Sequence, residues 1–180
     1  MMTSTPLAIA APEPSEYAPY YDRYISLVEG ADIVRALEQQ GAEMVAMLSD
    51  LTERQATFRY APHKWSLKDV LGHVTDSERV FAYRALRIAR GDATPLPGFE
   101  QDSYVRAAMS GNRALGELLD EFAAVRQASR MLFRSLDADA WMRRGVTDQK
   151  DVSVRALAYI IGGHELHHRK IIQEKYLTVV

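Results

Sequence analysis

Cysteine is absent from all 180 residues. No disulfide can hold this fold, no thiolate can ligate a metal, and no protein thiol can act as nucleophile. Any metal must be held by nitrogen and oxygen. Excess positive charge is also missing. The 22 Lys and Arg against 24 Asp and Glu leave a net charge of −2, so the basic stripe that nucleic acid requires is lacking. No apolar run approaches the length of a membrane span. The opening "MMTSTPLAIAAPEPSEYAPY" has no basic residue before Arg23, and prolines break its short apolar stretch. It reads as neither a signal peptide nor a membrane segment. The expectation is a flexible arm over residues 1–19, then one domain over 20–180. A chain 47% hydrophobic and 26% charged is composed as an ordinary globular domain with a real core. The lack of cysteine agrees with a cytoplasmic location.

Strand signals are nearly absent, whereas helical periodicity recurs. A first helix is expected from about Asp32 to Ser49, with Ile33, Leu37, Met44, Leu48 and Leu51 forming its apolar stripe. In "HKWSLKDVLGHV", Ser66 is a natural N-cap with Asp69 three residues on, and Trp65 can staple to Val70. That second helix should run to about Arg90, stopped by Gly91. "TPLPGFE" is a loop, and a short helix fits Gln101 to Ala108. A third long helix spans about Arg113 to Leu136. "DADAWMRRGVTDQKDV" connects onward, with Trp141 packing back over a bundle end. Ser153 caps a fourth helix that reaches about Tyr176, with Val152 and Leu157 as a second staple. The fold class is therefore all-α, a four-helix bundle with a short extra helix. The long connection between the second and fourth helices leaves room for those two to run parallel and share a site.

The fourth helix contains "GGHELHHRKI". At roughly 100° per residue, Leu157, Ile160, Ile161, Ile171 and Ile172 form one sector, with His164 and His168 at its centre. His167 falls at its edge. Buried imidazoles need partners for both ring nitrogens, and one divalent metal satisfies several at once. A single histidine on such a face is ordinarily a hydrogen-bonded core residue. For a pair one turn apart the hydrogen-bonded and metal-ligand readings both stay open, and a third inward histidine on another helix favours the metal. His73 supplies a third inward imidazole from the second helix, whereas His63 sits in a loop. Three nitrogen ligands leave a position open for water or substrate, as in catalytic zinc sites.

Read literally, His164-Glu165-Leu166-His167-His168 also matches the H-E-x-x-H of metalloproteases. Only twelve residues follow His168, and none offers the further ligand that such an enzyme needs. The match is a coincidence of composition.

The strings "KWSLKDVLGHVTDSERVFAYRALRIARGDATPLPGF" and "VSVRALAYIIGGHELHHRKIIQEKY" resemble the DinB-like superfamily, in its YfiT-type branch of metal-dependent hydrolases. The resemblance runs from about Tyr20 onward. It implies a four-helix bundle, often dimeric, carrying zinc or nickel on three histidines that map onto His73, His164 and His168. It further implies chemistry on low-molecular-weight thiols (bacillithiol, mycothiol or glutathione) by transfer or isomerisation, or else hydrolysis. No motif selects one thiol.

Among other residues, Asp76 could accept a proton or orient a ligand imidazole, or simply be an exposed helix carboxylate. Arg84 shares a face with His73 and could bind an anionic substrate, or more ordinarily pair with Glu117 or Asp120. Gly162 and Gly163 suit close helix approach. Tyr83 and Tyr104 have no assigned place. Two alternatives to an enzyme stay open: a non-catalytic metal-binding bundle, and a metal-free one whose histidines bond buried carboxylates.

Overall fold

The computed structural model describes residues 9–30 and 32–178. From the amino end its elements are α1 (Asp22–Ile25), α2 (Ile33–Leu48), α3 (Glu53–Ala56), α4 (Leu67–Ala89), α5 (Gln101–Ala108), α6 (Leu115–Arg134) and α7 (Ala138–Met142). Strands β1 (Arg144–Thr147) and β2 (Lys150–Ser153) follow, then α8 (Val154–Ile171), which widens into a π-turn over Ile172–Tyr176. Each long helix starts where local chemistry places it. Asp32 accepts from Arg35 N at α2, Ser66 and Asp69 form a reciprocal capping box at α4, and Ser153 accepts from Ala156 N at α8. The turn that follows α4 places Gly91 at a φ of 81°, which suits a residue without a Cβ.

The long helices α2, α4, α6 and α8 form the expected bundle, but their directions differ from the expected arrangement. α4 and α8 run antiparallel. Tyr176 Oη donates to Trp65 O at one end (2.7 Å), and Arg143 joins Ala89 O to Val154 N at the other. The parallel neighbours are α4 with α6, where Lys68 Nζ donates to Arg113 O (2.6 Å), and α2 with α8, where Gly162 packs on Ile33 and Leu37 and Arg169 pairs with Glu43. The cause is the crossover through residues 90–114, which carries the chain back along the bundle so that α6 starts beside the start of α4.

Two further expectations need correction. Residues 1–8 of the expected arm lie outside the described residues, but residues 9–19 are packed rather than loose. Ile9 and Tyr17 are buried, Tyr159 Oη donates to Ile9 O (2.9 Å), and Glu16 pairs with Arg155. The packed unit therefore begins before residue 20. The proposed connector after Trp141 contains a β-hairpin, in which Arg144 pairs with Ser153 and Thr147 with Lys150. Asp148 and Gln149 form its two-residue turn with φ of 50° and 62°, the geometry usually given to Asn-Gly or Asp-Gly. Trp141 does pack back, stacked on Phe133.

The apolar interior is divided. One cluster gathers Phe81, Phe133 and Trp141 around the first half of α8. The other gathers Met44, Leu71 and Phe122 around Ile172 and Tyr176. On α8, His164 and His168 fall between residues of the two clusters, and on α4 His73 sits among Val70, Leu71 and Val74 of the second. Buried Glu78, Glu165 and Arg126 add further polarity inside the bundle.

Candidate metal centre

α4 delivers His73 and α8 delivers His164 and His168, and the antiparallel crossing brings the three rings together edge-on, at interplanar angles of 66–74°. His73 Nε2 and His164 Nε2 are 3.1 Å apart. Nitrogens of all three lie within 4.8 Å of one another, and no acidic side chain joins the group among the described residues. As residues, His73, His164 and His168 are 4%, 6% and 9% exposed. Ser77 Oγ lies 3.5 Å from His73 Nδ1, the Trp65 ring sits 4.8 Å from His73, and Tyr24 meets His164 edge-on.

Burial holds all three imidazoles neutral. It pushes His73 down to about 4, and His164 well below its ordinary value. His168 falls to about 3, through burial first and the neighbouring His73 and His167 second. Neutral nitrogen donors converging without a carboxylate to share their protons are a suitable donor set for a divalent ion. The metal-free alternative required buried carboxylates against these rings, and none is there among the described residues.

Two cavities meet at this cluster. One, of about 340 Å³, is lined by His168, Trp65, His63 and Lys64. The other, of about 430 Å³, is lined by His73, His164, Ser77 and a run of aromatic side chains. The histidines thus form part of the wall of each.

Other residues singled out from sequence fall elsewhere. Asp76 does not orient His73. It pairs with Arg79 (3.2 Å), which also binds Glu121 of α6. Asp76 is held by Arg79 of its own helix, and Ser77 takes the place beside His73. Glu165, the acid of the protease-like string, is bonded to Arg126 at 3.0 Å, so it cannot act as a base in a cleft. His167 packs on Tyr24 outside the trio. A Cβ on Gly163 would stand 2.0 Å from Tyr24 O, so the glycine is what lets α1 approach the site. Tyr83 and Tyr104 are exposed. Helical periodicity puts Ser77 and Phe81 on the side of His73, but nothing in the sequence gave them a role, and Tyr24 and Phe99 arrive from elements it did not place at the site. For contact with the imidazole, Ser77, four residues after His73 on one helical face, had the usable signal.

The fold is a mostly helical bundle with one small hairpin, and its facing helices α4 and α8 bring three histidines together. The chain belongs to the DinB superfamily, whose family model matches residues 36–172. Among solved structures it is similar to YfiT from Bacillus subtilis, described as a probable metal-dependent hydrolase with an unusual four-helix bundle topology. The TM-score is 0.72 at 16% identity, over 98% of this chain and 97% of that one. It is also similar to the mycothiol-dependent maleylpyruvate isomerase, with a TM-score of 0.65 at 12% identity, over 81% of this chain and 61% of that one. At such identities the likeness is one of fold. A comparison with curated proteins finds no match. No helix among the described residues is long and apolar enough to cross a membrane.

The depressed imidazole values make a prediction for chelator-treated protein. Unfolded histidine titrates near ~6.5, above all three folded values, so the unfolded chain binds more protons between them. Stability from these groups is complete above about pH 6.5. It is lost as pH falls through about 4, where His73 titrates, towards about 3 for His168. Urea midpoints measured from about pH 8 to about pH 4 should fall across that window, and a His164→Leu variant should show a shallower fall. Identical slopes in both proteins would mean that these imidazoles do not couple to folding.

Proposed function

We propose that the chain is a metal-dependent enzyme. In this reading His73, His164 and His168 hold one divalent ion, zinc or in its place nickel, and the chemistry is done on a low-molecular-weight thiol or on water. The observation that carries it is the meeting of three buried neutral imidazoles with two cavities. A bound ion would supply Lewis acidity, favouring the thiolate or hydroxide form of what occupies its open position.

The chain's own residues supply the rest. Burial keeps the three rings unprotonated and able to donate lone pairs. Ser77 can fix the His73 tautomer through Nδ1. Trp65 and Tyr24 cover the rings from two sides, and the two cavities offer separate entries for two reactants. A chain without cysteine must take its sulfur from outside, and the isomerase relative is described as mycothiol-dependent. Transfer of a thiol to an electrophile is therefore preferred over hydrolysis. The same reading takes the protein as a cytoplasmic homodimer.

Zinc-loaded protein, purified without a histidine tag, should accelerate conjugation of bacillithiol, mycothiol or glutathione to a chlorodinitrobenzene electrophile. The chelated protein should not. Acceleration of ester or amide hydrolysis alone would replace transferase by hydrolase. If neither reaction responds to metal-loaded protein, a non-catalytic metal-binding role takes over.

A further inference from the structure

Two arginines are deeply buried in this bundle, each 3% exposed, and the fold treats them differently. Arg84 forms no ion pair among the described residues. It donates to Pro97 O at 2.7 Å, while Glu117 and Asp120, its expected partners, face solvent. Arg126, from α6, bonds instead to all three of the other long helices. Its Nε and Nη2 donate to the Glu78 carboxylate of α4 at 2.8–3.0 Å. Its Nη1 donates to Glu165 Oε2 of α8 and to Leu37 O of α2, both at 3.0 Å. Glu165 has no other hydrogen-bond partner among the described residues.

Stability is a poor reason for this arrangement. Three charged side chains are taken out of water, and an apolar trio of similar volume is often as stable or more so. Room for the arginine is made inside α2 by Gly41, where a Cβ would stand 2.9 Å from Arg126 Cγ. A glycine there costs helix propensity as well. What a planar fork of donors gives, and an apolar contact does not, is a defined geometry. It sets the height and rotation of each helix that it touches.

Two of those helices carry the histidines. Glu165 lies inside the turn that runs from His164 to His168, and Glu78 follows His73 by five residues, within about a turn and a half. Arg126 therefore ties α4 to α8 next to the turns that present the three imidazoles. A metal site needs its ligands held within about 0.5 Å of the productive geometry, and here they come from two separate helices.

We propose that Arg126 is a positioning residue for the metal centre. Through Glu78 and Glu165 it fixes α4 against α8 so that His73, His164 and His168 converge on one divalent ion. This rests on the reading of the trio as a metal site, and adds to it a residue that touches neither metal nor substrate.

Zinc affinity is read by competition with a chromophoric chelator, and site geometry by visible absorption of the cobalt(II)-loaded protein. Both are measured well below the unfolding temperature of each variant. Arg126→Lys keeps the charge and loses the fork. Its zinc affinity should fall at least about tenfold, as when other groups that orient metal ligands are lost, and its cobalt spectrum should change. The triple change Arg126→Met, Glu78→Gln, Glu165→Gln removes the charges together, and should regain stability without regaining zinc affinity. Glu43→Gln, which breaks an exposed pair between α2 and α8, is the control and should match the wild type in affinity and spectrum. Recovery of zinc affinity together with Tm in the triple variant overturns the proposal, because Arg126 would then act through stability alone. So does an Arg126→Lys protein with the affinity and spectrum of the wild type. A wild-type protein that binds no zinc fails differently: the metal reading itself falls, and the positioning role falls with it.

Discussion

Purified without a tag, the His73→Ala, His164→Ala and His168→Ala proteins are each expected to lose most of the roughly one divalent ion per chain that the wild type should carry. Two imidazoles cannot replace three. Loss of an outer partner alone costs a metal site ~10–100-fold in affinity, and loss of a ligand should cost more. His63→Ala and His167→Ala should keep their metal. His63 lines a cavity without joining the trio, and His167 packs on Tyr24. Elemental analysis after dialysis reads the result. Full occupancy in His73→Ala would remove α4 from the site and with it the reason for the antiparallel pairing to matter.

Arg126→Ala is expected to be the most destabilising single change away from the histidines. The guanidinium is held at 2.8–3.0 Å by Glu78 and at 3.0 Å by Glu165. Truncation leaves both carboxylates buried without their cation, and breaking such a pair from one side costs ~3–5 kcal/mol. Burial already pushes the Glu165 carboxyl up, against the opposing effect of Arg126. For a domain of this size each kcal/mol shifts Tm by roughly 2–4 °C, so a fall on the order of 10 °C should appear in thermal unfolding followed by circular dichroism. The triple change Arg126→Met, Glu78→Gln, Glu165→Gln should recover part of it by removing the uncompensated charge. A single variant within about 1 °C of wild type would show that water reaches these carboxylates.

The three histidines were legible because each element of the argument is local. Ser66 and Asp69 set the start of α4, Ser153 sets the start of α8, and a 3.6-residue period then decides which side chains face inward. A polar residue on an apolar stripe stands out in one dimension. The hairpin was not legible in the same way. Its turn is Asp148-Gln149 rather than a pair containing glycine, its strands are four residues each, and β1 gains a bridge from Leu96, some fifty residues earlier. Asp76 and Ser77 show the limit within one helix. Both lie near His73 in sequence; helical spacing lets Ser77 reach the imidazole, whereas Asp76 pairs with Arg79, which Glu121 of α6 also binds.

What the sequence determined by itself is therefore the four long helices and α5, the caps at Ser66 and Ser153, the inward faces and the three imidazoles presented on them. These follow from backbone hydrogen bonding and periodicity within a few turns. Only the tertiary structure decided that α4 opposes α8 in direction, and that residues 9–19 close over α8. It also decided that Glu165 serves Arg126 while Arg84 is left without an acid. Each of these depends on which of several chemically adequate partners arrives from a distant part of the chain. Long-range packing settles that choice, because a buried charge or an apolar face accepts any complementary neighbour and the local sequence does not specify which one comes.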